Sequence, residues 1–299
     1  MAARFGSVLT AMITPFDVDG RLDVDGAARL ARWLVDQGND GLVVAGTTGE
    51  APTLSDDEKI ELWRAVAGAV TVPVVAGSGT NDTRHSVDLT REAGKCGVAG
   101  ILLVTPYYNR PSQAGIEGHF RAIAAATDLP VMLYDIPVRT GRRIEGSTML
   151  RLARDVINIV AVKDAADDVA AAARLIAEAP AGFELYSGSD LLNLPLLAVG
   201  AAGVVSVAAH WTAGLHAEML AAVAKGDVET AREINARLLP SYAFESLDTA
   251  PNPIPTKALL RLLGLPAGYG RPPMDLEPDD LEGRARALIQ HLGLIAHDA

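Results

Sequence analysis

Short runs of apolar, often β-branched residues return along the first two-thirds of the chain. They read SVLTAMIT at 7–14, GLVVAG at 41–46, VPVVAG at 72–77, GILLVT at 100–105, PVMLYD at 130–135, NIVAVK at 158–163, FELYS at 183–187 and GVVSV at 203–207. Most are continuous rather than alternating, which predicts strands covered on both faces and so a parallel sheet. The intervening segments space their apolar residues as helices do. Ser55-Asp56-Asp57-Glu58 reads as a capping box ahead of Ile60, Leu62 and Val66. Further helices are expected near 22–37, 83–96, 113–126, 147–154, 169–179 and 190–199.

Eight strands alternating with helices predict an α/β fold, a (β/α)₈ TIM barrel over residues 1–210, with a doubly wound open sheet as the rival. The remaining quarter reads as helical, at 213–224, 227–239, 256–263 and 279–291. A barrel of about 250 residues closes before all of this is used. A C-terminal helical region over 211–299, packed on the barrel, is the expectation.

Composition narrows the function without changing the fold. With 299 residues, 49% of them hydrophobic and 21% charged, the chain has a globular make-up. The net charge of −11 argues against nucleic acid and against an anionic membrane surface as partners. A small-molecule substrate fits better. The single Cys96 excludes an internal disulfide, and nothing resembles a zinc or iron–sulfur ligand set, so neither metal nor cofactor is expected. The N-terminus does not read as a signal peptide. The uncharged stretch 191–209 is broken by Asn193, Pro195 and two glycines, and suits a helix and buried strand better than a membrane span. A reducing, cytoplasmic setting follows.

In such barrels the chemistry lies at the C-terminal ends of the strands, and those positions are polar here: Thr14, Thr47, Thr48, Ser78, Thr105, Tyr108, Tyr134, Lys163, Ser187 and Ser206. Lys163 supplies the only amine. An apolar surround disfavours an ammonium, and a neutral amine can attack a carbonyl to form a Schiff base. A lysine that snorkels to water or pairs with Asp164 is the competing reading. Tyr134, one strand earlier, has a phenol suited to proton exchange, or a ring that merely packs. Arg139 offers a planar fork for a carboxylate, or a surface ion pair. In GTTGE, clustered amides and two hydroxyls suit a carboxylate, although a plain glycine turn would look alike.

Taken together, the motifs GTTGE at 46–50, TPYYNRPSQ at 105–113, LYDIPVRTG at 133–141, VAVKDA at 160–165, YSGSD at 186–190, GVVSV at 203–207 and PNPIPTK at 251–257 resemble the dihydrodipicolinate synthase and N-acetylneuraminate lyase family, across essentially the whole chain. The resemblance implies a pyruvate-dependent aldolase on a (β/α)₈ barrel with a helical C-terminal region, needing no metal. It assigns the Schiff base to Lys163 and a proton relay to Tyr134, Thr47 and Tyr108, the last entering the neighbouring subunit's site. Thr48 would hold the pyruvate carboxylate, with the backbones of Gly188 and Val205 lining the site. A homotetramer, built as a dimer of dimers, is implied as well.

Within that family, Arg139 favours the synthase branch, in which the arginine receives the carboxylate of aspartate semialdehyde; a keto-sugar-acid aldolase, or a non-catalytic binding homologue, is the alternative. Two stretches depart from the family. DAADD follows Lys163, and SVAAHW places His210 where small polar residues are usual; His210 could touch substrate or be satisfied within the fold. Asp167 and Asp168 are expected to cap the next helix. Positions matching the family's lysine-inhibition site read Ala51, Pro52, Asp56, Lys59, Asn81, His85 and Tyr107. His85 replaces an acid and Lys59 adds a like charge, so weak or absent lysine inhibition is expected.

Overall fold

The computed structural model describes residues 3–295. Eight parallel strands close into a barrel in chain order: β1 (Val8–Ala11), β2 (Gly41–Val44), β3 (Val74–Gly77), β4 (Gly100–Val104), β5 (Val131–Asp135), β6 (Ile159–Asp164), β7 (Glu184–Ser187) and β8 (Gly203–Ser206). Strand β8 pairs back onto β1, which excludes the open doubly wound sheet. The continuous apolar runs are explained by two separate cores. Leu42, Ile101, Leu133 and Val162 face outward into the helices, whereas Leu9, Val43, Val75, Met132, Ala161, Tyr186 and Val205 fill the barrel. Each buried Val or Leu contributes about 1.5–3 kcal/mol, so neither face is free to be polar.

Strand β6 carries one irregularity. Val131 pairs with Ile159 and the next residue, Met132, with Ala161, so Val160 is an extra residue without a partner. Strict alternation from the outward Ile159 would send Ala161 and Lys163 outward. The bulge resets the count, so Ala161 points inward and Lys163 follows on the same side.

The outer helices are α1 (Val24–Asp36), α2 (Asp56–Ala69), α3 (Thr83–Ala93), α4 (Gln113–Ala124), α5 (Pro137–Thr140), α6 (Gly146–Asp155), α7 (Val169–Glu178) and α8 (Asn193–Ala198). Helix α2 begins as its sequence indicates: Ser55 Oγ accepts the Glu58 amide, and the Glu58 carboxylate accepts the Ser55 amide. Asp168 caps α7 by accepting from the Ala171 amide, whereas Asp167 does not share that task and adopts a left-handed φ of 56°. Residues 190–199 split into a 3₁₀ turn and α8 instead of one helix. The four-residue α5 is too short to register as a periodicity, yet it carries Arg139.

The C-terminal part contains α9 (Ala209–Ala224), α10 (Val228–Glu245), α11 (Ile254–Leu262) and α12 (Leu281–Leu292). Residue 211, the expected start of an appended region, lies inside α9, which packs on β1 and β8 as the eighth barrel helix. Helix α10 runs through Pro240, past the expected end at 239, because Leu238, Ser241, Tyr242 and Phe244 are buried on either side of the proline. That tertiary burial outweighs the lost backbone hydrogen bond. Trp211, Met219, Leu238, Tyr242, Leu259 and Leu288 form one core with Val8 and Val204 of the barrel. Among the described residues no helix is long and apolar enough to cross a membrane.

Candidate active site

Lys163 sits between Tyr134 of β5 and Tyr186 of β7 in the strand register. The residue is 5% exposed. Its Nζ lies 4.3 Å from the centre of the Tyr134 ring, so the phenol ring covers the amine. Asp164 does not pair with it. Alternation turns that carboxylate away, where Oδ1 accepts the Ala166 amide at 2.8 Å and burial raises its pKa. Among the described residues Lys163 forms no ion pair, so both competing readings, snorkelling and pairing with Asp164, fail on geometry.

The lysine stem is held by Gly188. A Cβ there would stand 2.7 Å from Lys163 Cγ and 2.9 Å from Cε, closer than real contacts permit. The Gly188 amide donates to the Asp164 carbonyl at 2.7 Å, which fixes the backbone against the lysine. Val205 is buried in the barrel interior beside β1 and does not line the cavity described next.

Above the barrel mouth opens a cavity of about 540 Å³, whose walls include Thr47, Tyr108, Tyr134, Arg139 and Asn252. Most of the polar strand ends, Lys163 and Thr48 among them, are not part of its lining. Thr14 donates to the Gly49 carbonyl, Thr105 to the Tyr134 carbonyl and Ser187 to the Ser189 carbonyl, while Ser78 bonds Thr90. Three of those hydroxyls are spent on backbone carbonyls and the fourth on another hydroxyl. Arg139 is exposed at the cavity wall, and its guanidinium makes no hydrogen bond or ion pair among the described residues. Tyr108 is 91% exposed, on a left-handed residue with φ of 70° in the loop between β4 and α4.

The GTTGE loop is conformationally costly and firmly braced. Ala45 and Glu50, at its two ends, both have left-handed φ, 57° and 55°, an arrangement costing of order 1–3 kcal/mol each. Gly77 lets the loop approach, since a Cβ there would meet the Ala45 carbonyl oxygen at 2.3 Å. Glu50 is buried, with one carboxylate oxygen 2.6 Å from Lys257 Nζ and the other accepting the Arg271 amide at 2.9 Å. Burial lowers the Lys257 pKa to about 8, against the pull of Glu50. Thr48 Oγ1 accepts from Asn252 Nδ2 at 2.9 Å. Sequence reasoning quoted PNPIPTK without giving Asn252 or Lys257 a task; the residues that contact the loop arrive from 204 and 207 positions away, and no local pattern reveals that.

His210 is settled by its bonds. Its Nδ1–H donates to the Val207 carbonyl at 2.7 Å and Nε2 accepts the Ile13 amide at 3.1 Å. Complete burial lowers its pKa to about 4, so it is a neutral tie between two strand ends, with no nitrogen left for substrate. Lys59 borders the cavity, 6% exposed; burial lowers its pKa, against the pull of Asp56 at 3.8 Å. Asp56 in turn holds His85 Nε2 at 2.7 Å.

A closed (β/α)₈ barrel with one buried amine at the end of its sixth strand, beneath an open mouth, has the architecture that carbonyl chemistry on a lysine requires. Residues 4–292 match the model of the Dihydrodipicolinate synthetase family, and the chain belongs to that family. It is 50% identical over 294 residues to the 4-hydroxy-tetrahydrodipicolinate synthase of Moorella thermoacetica, covering 98% of this chain and 100% of that one. Identity to the enzyme of the same name from Acidothermus cellulolyticus is 54% over 274 residues, 91% of this chain and 87% of that one. Among solved structures, dihydrodipicolinate synthase from Cyanidioschyzon merolae with lysine bound superposes with a TM-score of 0.94 at 42% identity, covering 98% of this chain and 100% of that chain.

Proposed function

We propose that the chain catalyses the reaction for which these relatives are named: condensation of pyruvate with L-aspartate 4-semialdehyde to 4-hydroxy-tetrahydrodipicolinate, on the diaminopimelate route to lysine. The carrying observation is the Lys163 amine, buried, unpaired and facing Tyr134. The nitrogen of Lys163 attacks the pyruvate C2 carbonyl, and loss of water leaves an iminium. Loss of a C3 proton gives an enamine, whose carbon adds to the aldehyde; the aldehyde oxygen takes up a proton and becomes the 4-hydroxyl. The amine of the semialdehyde then attacks C2, closing the ring and returning Lys163. One water is lost overall.

Tyr134, Thr47 and Tyr108 would relay the protons, and Thr48 would hold the pyruvate carboxylate, with Gly188 and Val205 contributing backbone. Arg139 would receive the semialdehyde carboxylate, a role supported by its open, unpaired fork at the cavity wall. A cytoplasmic homotetramer, as a dimer of dimers, is the proposed assembly; the exposure of Tyr108 supports its insertion into a neighbouring copy. Weak or absent lysine inhibition is proposed from Lys59 and His85, and half-inhibition at low lysine in an initial-rate assay would refute it.

Borohydride reduction with pyruvate should add one pyruvate-derived mass to the wild-type chain and none to Lys163→Ala, which should also lose at least about 10³-fold in turnover with both substrates. An unmodified wild-type chain would overturn the mechanism. An adduct with no turnover of aspartate semialdehyde would leave the keto-sugar-acid alternative instead.

A further inference from the structure

We infer that Asn252 is a positioning residue for the substrate carboxylate: by donating to Thr48 Oγ1 it leaves that hydroxyl's single proton free for the ligand. The inference rests on the pyruvate reading above and adds to it the residue that prepares the carboxylate site. A threonine hydroxyl has one proton and accepts through its lone pairs. Thr48 Oγ1 accepts from Asn252 Nδ2 at 2.9 Å, and among the described residues this is its only hydrogen bond. Thr48 is 3% exposed, so water has little access to that proton, and a buried donor without a partner is costly. An arriving carboxylate satisfies it.

The amide of Asn252 is itself oriented. Its Oδ1 accepts from Thr256 Oγ1 at 3.3 Å, which assigns the nitrogen end to Thr48. Thr256 and Lys257 lie in the first turn of α11, and Lys257 meets the buried Glu50 of the same GTTGE loop at 2.6 Å. The loop and the start of α11 are thus clamped twice within three residues of each other, at Thr48 and at Glu50. Thr47, the chain neighbour of Thr48, and Asn252, its hydrogen-bond partner, both line the cavity, whereas Thr48 itself is buried and outside that lining; its hydroxyl is thus adjacent to the space that a carboxylate would enter.

The test is borohydride trapping on Lys163 as a function of pyruvate concentration, read by intact mass, which needs no second substrate. Asn252→Ala should raise the half-saturating pyruvate concentration about 10-fold, the effect of one lost hydrogen bond to a charged group. Asn252→Asp, nearly isosteric, should raise it more, about 100-fold, because a carboxylate would capture the Thr48 proton and repel the ligand. In both variants the rise in half-saturation should exceed any fall in adduct at saturating pyruvate. In a Thr48→Val background, Asn252→Ala should add nothing further.

Equal half-saturation in Asn252→Asp and Asn252→Ala would overturn the inference, as would a full Asn252→Ala effect in the absence of the Thr48 hydroxyl. A wild-type chain that forms no adduct would overturn the pyruvate reading and this inference with it. An adduct formed equally well by wild type and variants would overturn the inference alone.

Discussion

Gly188 shows how closely the Lys163 amine is fitted. Added to the backbone at that position, one methyl group would overlap the lysine stem, so Gly188→Ala should displace Lys163 while leaving the barrel assembled. We expect pyruvate adduct formation to slow at least 10-fold with a melting temperature lowered by only a few degrees, measured by timed borohydride trapping and calorimetry. A trapping rate equal to wild type would show that the stem can move aside. At this scale the sequence was informative where chemistry is carried by a rare residue type in a rare place, as for Lys163. It was less so for hydroxyls. Thr47, Thr105 and Ser187 look alike at strand ends, and only the fold separates one that faces the cavity from two spent on carbonyls.

At the scale of elements, the eight strands and most helices were legible because burial on both faces, or on one stripe, imposes a period that single residues cannot hide. What escaped were features set by tertiary contact: the continuation of α10 through Pro240, the short α5, and the bulge in β6. The bulge leads to an expectation that alternation alone would not give. Because Val160 is surplus to the pairing with β5, deleting it should preserve the inward direction of Lys163 and retain measurable adduct formation. Deleting Val160 and Ala161 together should turn the lysine outward and abolish it. Loss of the adduct in the single deletion would show the bulge to be indispensable. Helix α2 carries a pH signature. Glu58 caps its first turn and also accepts from Arg271 at 3.0 Å, and hydrogen bonding to Arg271 lowers its pKa from 4.5 to about 2. The unfolded chain binds the proton more readily, so this contribution is complete above pH 4.5 and is lost as pH falls toward 2. The melting temperature of Glu58→Gln should therefore lie below wild type at pH 6 and converge with it near pH 2; a gap that stays constant with pH would refute the assignment.

For the whole molecule, the strongest constraint runs between distant parts of the sequence. Lys257 and Glu50 are both almost fully buried, and removing one member of such a pair strands the other charge in a dry interior. Lys257→Met should cost about 3–5 kcal/mol in chemical denaturation, and Glu50→Gln added to it should recover part of that loss. An additive double variant would show the two charges to be independent. Arg271, whose backbone amide also reaches Glu50, donates its side chain to the carbonyls of Gly20 and Thr53. The clamp therefore joins the beginning, the mouth and the final quarter of the chain. Its consequence concerns synthesis rather than catalysis. A nascent chain that has emerged only through its eighth strand already contains every residue of GTTGE and the reactive lysine, but the Glu50 carboxylate has no counter-charge and the loop no brace. The brace on the mouth therefore forms only after the last quarter of the chain has been made.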